Sequence, residues 1–124
     1  MFGTKPPGLG VRDGRLSPCK STPNCVSSQA DAADAVHHIE PLRATMPEVE
    51  AALRRTLRCR IVSAEPAYLH AEFRTRLMRF VDDVEFYFDG RVVHVRSASR
   101  LGRYDFGTNR RRIEALRRLL EGRV

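Results

Sequence analysis

The chain contains no tryptophan, only Lys5 and Lys20 as lysines, and no apolar run approaching the roughly 18 residues that a membrane-crossing helix needs. A spanning segment is therefore not expected. The opening, MFGTKPPGLG, lacks the apolar core of a secretory leader, so the expected compartment is the cytoplasm. None of the cysteines forms a C-x2-C pair. Cys19 and Cys25 follow a C-x5-C spacing, which is neither a zinc-ribbon nor a thioredoxin pattern. Gly102 and Gly107 are not followed by G-K-[ST], which excludes a phosphate loop. Asp105-Phe106-Gly107 carries the letters of a kinase tripeptide, but the supporting kinase motifs are missing.

What is present fits one globular domain: 124 residues, 42% hydrophobic and 30% charged. The net charge is +7, with a pI near 10.1, and nearly all of the basic residues are arginine. That balance suits a nucleic-acid or anionic-membrane partner. Charge alone attracts polyanions without specificity, so nucleic acid is expected only as a generic partner.

Residues 1–35 hold no periodic pattern and are broken by Pro6-Pro7, Gly8, Gly10, Gly14, Pro18 and Pro23. They read as an extended arm packed on a domain formed by residues 36–124. Within the arm, Asn24, Ser27 and Ser28 are turn-formers. Cys19 and Cys25 could close a small disulfide if their Cα atoms lie within about 7 Å, stay as free thiols, or supply a nucleophile at Cys25. Val36 to Leu42 reads as a short strand. His37 and His38, as neighbours in it, would face opposite sides and not share a metal.

Thr45-Met46-Pro47-Glu48 is a capping box that opens a helix over 46–57, with Val49, Leu53 and Leu57 as its apolar stripe. Strands follow at 60–64, 67–76 and 81–88. Leu69, Ala71 and Phe73 alternate with polar residues, as in a half-buried antiparallel sheet. Asp89-Gly90 predicts a two-residue hairpin turn. That register sets Phe86 against Val93, Glu85 against His94 and Asp83 against Arg96. The polar face would gather Asp83, Glu85, His94, Arg96, His70 and Glu72, open to solvent and laced with ion pairs. An acid–base pair or a metal site is the chemical alternative there. The expected fold is α+β: a mainly antiparallel sheet of four to five strands, two helices on one face, in the order β-α-β-β-β-β-α.

The last strand runs into a loop dense in arginine, serine and asparagine, and then into a helix whose stripe is Ile113, Leu116 and Leu120. Thr108 or Asn109 is the natural cap. Unpaired amides at the helix start and the nearby Arg96, Arg100, Arg103 and Arg110 make an anion-friendly corner. The alternative is that Asp105 fills the corner from within. The candidate site comprises Arg96, Ser97, Ser99, Arg100, Asp105, Asn109 and Arg110. Asp83 would orient Arg96, and Asn24, Ser27 and Ser28 are neighbours. Neither a metal nor a cofactor is assigned to it.

Three stretches together resemble one family: Pro18-Cys19 with Pro23-Asn24-Cys25-Val26-Ser27-Ser28; Val81-Asp82-Asp83-Val84-Glu85; and the long pattern RSASRxGxxDxGxNRxR from Arg96. The chain resembles the domain of unknown function 1499 family over about residues 9–120. The resemblance implies those positions as a signature and implies no activity. The functional expectation is a small non-catalytic binding or assembly domain for a small anionic ligand or a protein partner. The alternatives are a hydrolase using Cys25 or Ser27, or a basic nucleic-acid-binding protein.

Overall fold

The computed structural model describes residues 4–76 and 80–122. Residues 1–3 of the expected arm, and 77–79 and 123–124 of the expected domain, lie outside the described residues. The elements run β1 (Val11–Arg12), β2 (Arg15–Leu16), β3 (Cys25–Ser27), α1 (Met46–Arg54), β4 (Cys59–Ala64), β5 (Tyr68–Arg74), β6 (Val81–Phe88), β7 (Val93–Ser99) and α2 (Thr108–Leu120). Strands β1 and β2 form a two-stranded ribbon. The main sheet has five antiparallel strands in the order β3-β7-β6-β5-β4.

Period-two alternation builds the core. Leu69, Ala71, Phe73, Val84, Phe86, Val93 and Val95 meet the apolar faces of both helices, through Val49 and Leu53 of α1 and Ile113 and Leu116 of α2. The capping box of α1 is formed: Thr45 Oγ1 accepts the Glu48 amide at 3.3 Å, and the Glu48 carboxylate accepts the Thr45 amide at 2.8 Å. The helix stops at Arg54, short of the expected residue 57. The Thr56 hydroxyl donates to the Ala52 carbonyl at 2.8 Å, and Arg58 turns the chain at φ 59° into β4. Leu57 is consequently 76% exposed, not part of the stripe.

The edge strand beside β7 is Cys25–Ser27, not the stretch 36–42. That stretch makes only single bridges, His38 with Ser27 and Leu42 with Val93. Cys19 and Cys25 form a disulfide with Cα atoms 5.7 Å apart.

The β6–β7 register also differs from the expected one. Phe86 faces Val95, Glu85 faces Arg96 and Tyr87 faces His94, while Asp83 faces Ala98. The reversal is centred one residue later than Asp89-Gly90. The Asp89 amide donates to the Val92 carbonyl, and the Asp89 carboxylate accepts the amides of Arg91 and Val92 at 2.8 and 3.0 Å. Asp89 thus works as a side-chain turn-former and leaves the bend to Gly90, at φ 101°. A pairing displaced by two residues keeps every side chain on its expected face and changes only its opposite neighbour.

Candidate functional site

The last strand and the Asn24 turn are stitched together. The Asn24 amide group donates to the Gly102 carbonyl at 2.8 Å, and its own carbonyl accepts from the Ser99 amide and from Asn109 Nδ2. Asn109 is fully buried on the inner side of α2. Its Nδ2 faces three oxygens: the Asn24 carbonyl at 3.2 Å, Ser99 Oγ at 3.0 Å and Asp105 Oδ2 at 2.8 Å. Its Oδ1 accepts from Ser97 Oγ at 2.6 Å and from Arg112 Nη1 at 2.8 Å. Asn24, Ser97, Ser99, Asp105 and Asn109 therefore meet in one network.

Arg112 anchors that network. It pairs with Asp82 at 2.7 Å and lies over the Phe73 ring at 4.7 Å. Burial pushes the Asp82 carboxyl up from its ordinary value, against the pull of Arg112. Helical periodicity did not single out Arg112. The signal was the last arginine of the long signature pattern.

Asp105 fills the helix start from within. Its carboxylate accepts the Gly107 and Asn109 amides, each at 2.9 Å. Burial opposes its ionisation, but these amides and Asn109 Nδ2 outweigh it, and the carboxyl sits below the usual range. The N-cap residue is Gly107, not Thr108 or Asn109. Gly107 has φ 80°, a left-handed backbone that favours glycine, and an added Cβ would also have to displace the end of the Arg111 side chain, 2.8 Å away.

Arg96 and Arg100 belong to the opposite face of the sheet. Arg100 grips Asp83 through Nε at 2.7 Å and Glu72 through Nη2 at 2.7 Å. His70 reaches the same Asp83 at 2.7 Å. Burial opposes ionisation of Asp83, but His70 and Arg100 together hold its carboxyl below the ordinary value. His70, Glu72 and Asp83 bring one ligand atom each within 4.8 Å of one another, a spacing that can hold a metal ion. Arg100 already supplies a cation to two of the three.

This face is not open to solvent as expected. His70, Asp83 and Glu85 are buried. The arm lies over them: the Gly10 amide and the Tyr68 hydroxyl both donate to Glu85 Oε2 at 2.6 Å. Burial, then the adjacent Glu85, raises the Tyr68 hydroxyl above its ordinary range. Arg96 lies 3.9 Å from Glu85, not beside Asp83. Burial lowers the Arg96 guanidinium from its ordinary value, against the attraction of Glu85. Arg110 turns back to the carbonyls of Ala35 and Val36.

The residues considered for nucleophilic chemistry are engaged elsewhere. Cys25 is in the disulfide. Ser27 is buried, and its hydroxyl accepts the Gln29 amide at 3.1 Å. Burial pushes the Cys59 thiol up to about 11, away from thiolate chemistry at neutral pH. Ser28, His94 and Asp89 form a hydrogen-bonded chain, with 2.9 Å from Ser28 Oγ to His94 Nδ1 and 3.0 Å from His94 Nε2 to Asp89. Ser28 Oγ also accepts the Val95 amide at 2.8 Å. It takes the place of a backbone carbonyl where β3 ends, so the chain clips the hairpin to the edge strand.

Two histidines tie down the segment beside this network. His37 sits between the Asp34 carboxylate at 2.8 Å and the Thr22 carbonyl at 3.0 Å. His38 sits between the Glu40 carboxylate at 2.9 Å and the Ala30 carbonyl at 3.0 Å. Both rings face acceptors at both nitrogens, which favours the imidazolium. Asp34 and Glu40, respectively, are the main causes of the raised pKa values. A raised folded-state value means that the stabilisation is complete below the unfolded histidine value of about 6.5 and is lost as pH rises through the folded values. The expected result is a lower melting temperature at pH 9 than at pH 6, with the difference reduced in the His37→Gln/His38→Gln variant. Thermal unfolding followed by circular dichroism across that range checks it.

Fold and geometry define an α+β domain with a charged, polar cluster at the C-terminal strand-to-helix junction. Among the described residues, no helix is long and apolar enough to cross a membrane. The chain belongs to the family described as Protein of unknown function (DUF1499), whose model matches residues 15–120. No curated protein matches the sequence.

Proposed function

We propose that the protein is a non-catalytic binding domain and that its contact surface is the loop joining β7 to α2. One observation carries this reading: the polar signature residues face inward and hold the loop, while its apolar side chains face out. Asp105, Asn109 and Asn24 fix its base. Phe106 is 86% exposed and Tyr104 72% exposed. Arg103 is exposed within the loop, and Arg111 braces it by donating to the Phe106 carbonyl at 2.6 Å. Ser97, Ser99, Asp105 and Asn109 are then positioning residues. Preference for an anionic partner comes from the basic rim and the overall charge of +7.

Titration with inorganic phosphate and with polyglutamate, followed by amide NMR, tests the reading. The expected shifts concentrate at residues 101–107 and at the side chains of Arg103, Arg110 and Arg111. Shifts spread evenly over the arginine surface, or absent from the loop, would overturn it.

A further inference from the structure

The loop carries a feature that its own fold does not require. Phe106 adopts φ 53°, a left-handed backbone that a bulky side chain rarely takes, and it does so while almost entirely in water. Glycine or asparagine would fit that position with less strain. Tyr104 and Leu101 are exposed beside it in sequence, and Val36 is exposed across a shallow groove of about 290 Å³ that Tyr104, Phe106 and Arg110 also line. Two rings and Val36 thus line one groove, and Leu101 is exposed on the same loop as the rings, whose base is held by buried hydrogen bonds.

The charges around them select among occupants. Arg103, Arg110 and Arg111 flank the apolar groups, and the chain carries +7. A second copy would bring like charge against like. Single-stranded nucleic acid would use the rings for stacking but would leave Leu101 and Val36 without a role. An anionic bilayer surface uses every part: aromatic rings sit at the headgroup level, aliphatic side chains enter the acyl boundary and guanidiniums meet lipid phosphates.

We propose that the Leu101–Phe106 loop is a peripheral docking site for an anionic phospholipid surface. Phe106 and Tyr104 enter the interface and Arg103 contacts the headgroups. The inference rests on the reading of this loop as the contact surface, and it names the partner. Docking of this kind lays the loop on the bilayer and requires no spanning segment.

Sedimentation with phosphatidylcholine vesicles, with and without phosphatidylglycerol, tests it at physiological salt. Wild-type protein is expected to sediment with the anionic vesicles and to remain in solution with the neutral ones. Phe106→Ser and Tyr104→Ser should each weaken the partitioning by about tenfold, the scale of losing one buried aromatic side chain. Arg103→Gln should reduce the preference for anionic over neutral lipid. Phe106→Asn, suited to the left-handed backbone, should melt no lower than wild type and still partition about tenfold more weakly, which separates docking from folding.

Several results would overturn the proposal. One is equal sedimentation of wild type and Phe106→Ser, which would mark generic charge attraction. Another is equal binding to neutral and anionic vesicles. A third is Phe106-dependent binding to oligothymidylate without vesicle binding, which would assign the rings to base stacking. Loop-centred NMR shifts with polyglutamate but no vesicle binding would reject the lipid and leave the contact surface standing. Absence of both would remove the contact surface as well.

Discussion

Replacing Arg100 by methionine is expected to lower stability at pH 7 by about 3–5 kcal/mol, the cost of removing one partner from a buried charge pair. For a chain of this size that is a drop in melting temperature of roughly 10 °C or more. The cause is what the substitution leaves behind. Asp83 is 1% exposed at its side chain; among the described residues it would keep His70 as its hydrogen-bonded partner, while Glu72 would keep the largely exposed Arg60. The penalty depends on pH with a defined sign. In the wild type the Asp83 pKa is lowered, so its contribution is present above the unfolded aspartate value of about 3.9 and is lost as pH falls through the folded value. Without Arg100, burial pushes the Asp83 carboxyl up and it protonates on acidification. The gap between variant and wild type should therefore narrow from pH 7 to pH 4.5. Urea unfolding at the two pH values checks this. A loss below about 1 kcal/mol at pH 7, the range of an exposed pair, would show that Arg100 is not part of the buried framework.

Asn109→Asp, a change of almost no volume, is expected to cost about as much as Asn109→Ala, roughly 2–4 kcal/mol in each case. Alanine removes the acceptor of the Ser97 hydroxyl and leaves a void in a fully buried site. Aspartate keeps the shape but aims an oxygen at the Asn24 carbonyl, Ser99 Oγ and Asp105 Oδ2, the three oxygens that the two N–H groups of Nδ2 now face. Arg112, already committed to Asp82, can offset only part of that repulsion. If Asn109→Asp were as stable as wild type while Asn109→Ala was not, the site would be a matter of packing and the donor role assigned to Nδ2 would be wrong. Chemical denaturation of the three proteins side by side decides it.

The sequence legibly carried the sheet, the two helices and their common face, because alternation and helical periodicity report directly on which side chains must leave water. It misplaced what depends on side-chain chemistry at chain reversals. The Asp89-Gly90 pair predicts a tight turn centred on itself, whereas the Asp89 carboxylate captures two amides and moves the bend to Gly90-Arg91. The edge strand at Cys25–Ser27 was hidden by the prolines and serines around it; three residues are too few for a period to show. The polar face looked solvent-facing because its residues are charged. Nothing local to β5 or β6 announces that Gly10, 75 positions before Glu85, will cover it.

The candidate residues divided in a way that spacing alone could not forecast. Arg96 follows Val95 within β7 and Arg100 follows its last residue, Ser99, and both turn to the side of the sheet away from Ser97 and Asn109. The expected corner is therefore split: Ser97, Ser99, Asp105 and Asn109 meet on one face, while Arg96 and Arg100 join the acidic residues of the other. The contact of the Asn24 turn with the last loop is a relation between residues 78 positions apart, visible in the sequence only as two parts of one family pattern.

Amide hydrogen exchange at Asn109 tests the central claim most directly, that an internal carboxylate closes the helix start and mounts the outward-facing loop. As the second residue of α2, Asn109 has no carbonyl partner within the helix, and Asp105 is the acceptor its amide finds. The prediction is protection at Asn109 comparable to that of central β6 and β7 amides, abolished by Asp105→Ala. Exchange at the rate of a free loop amide in the wild-type protein would contradict it.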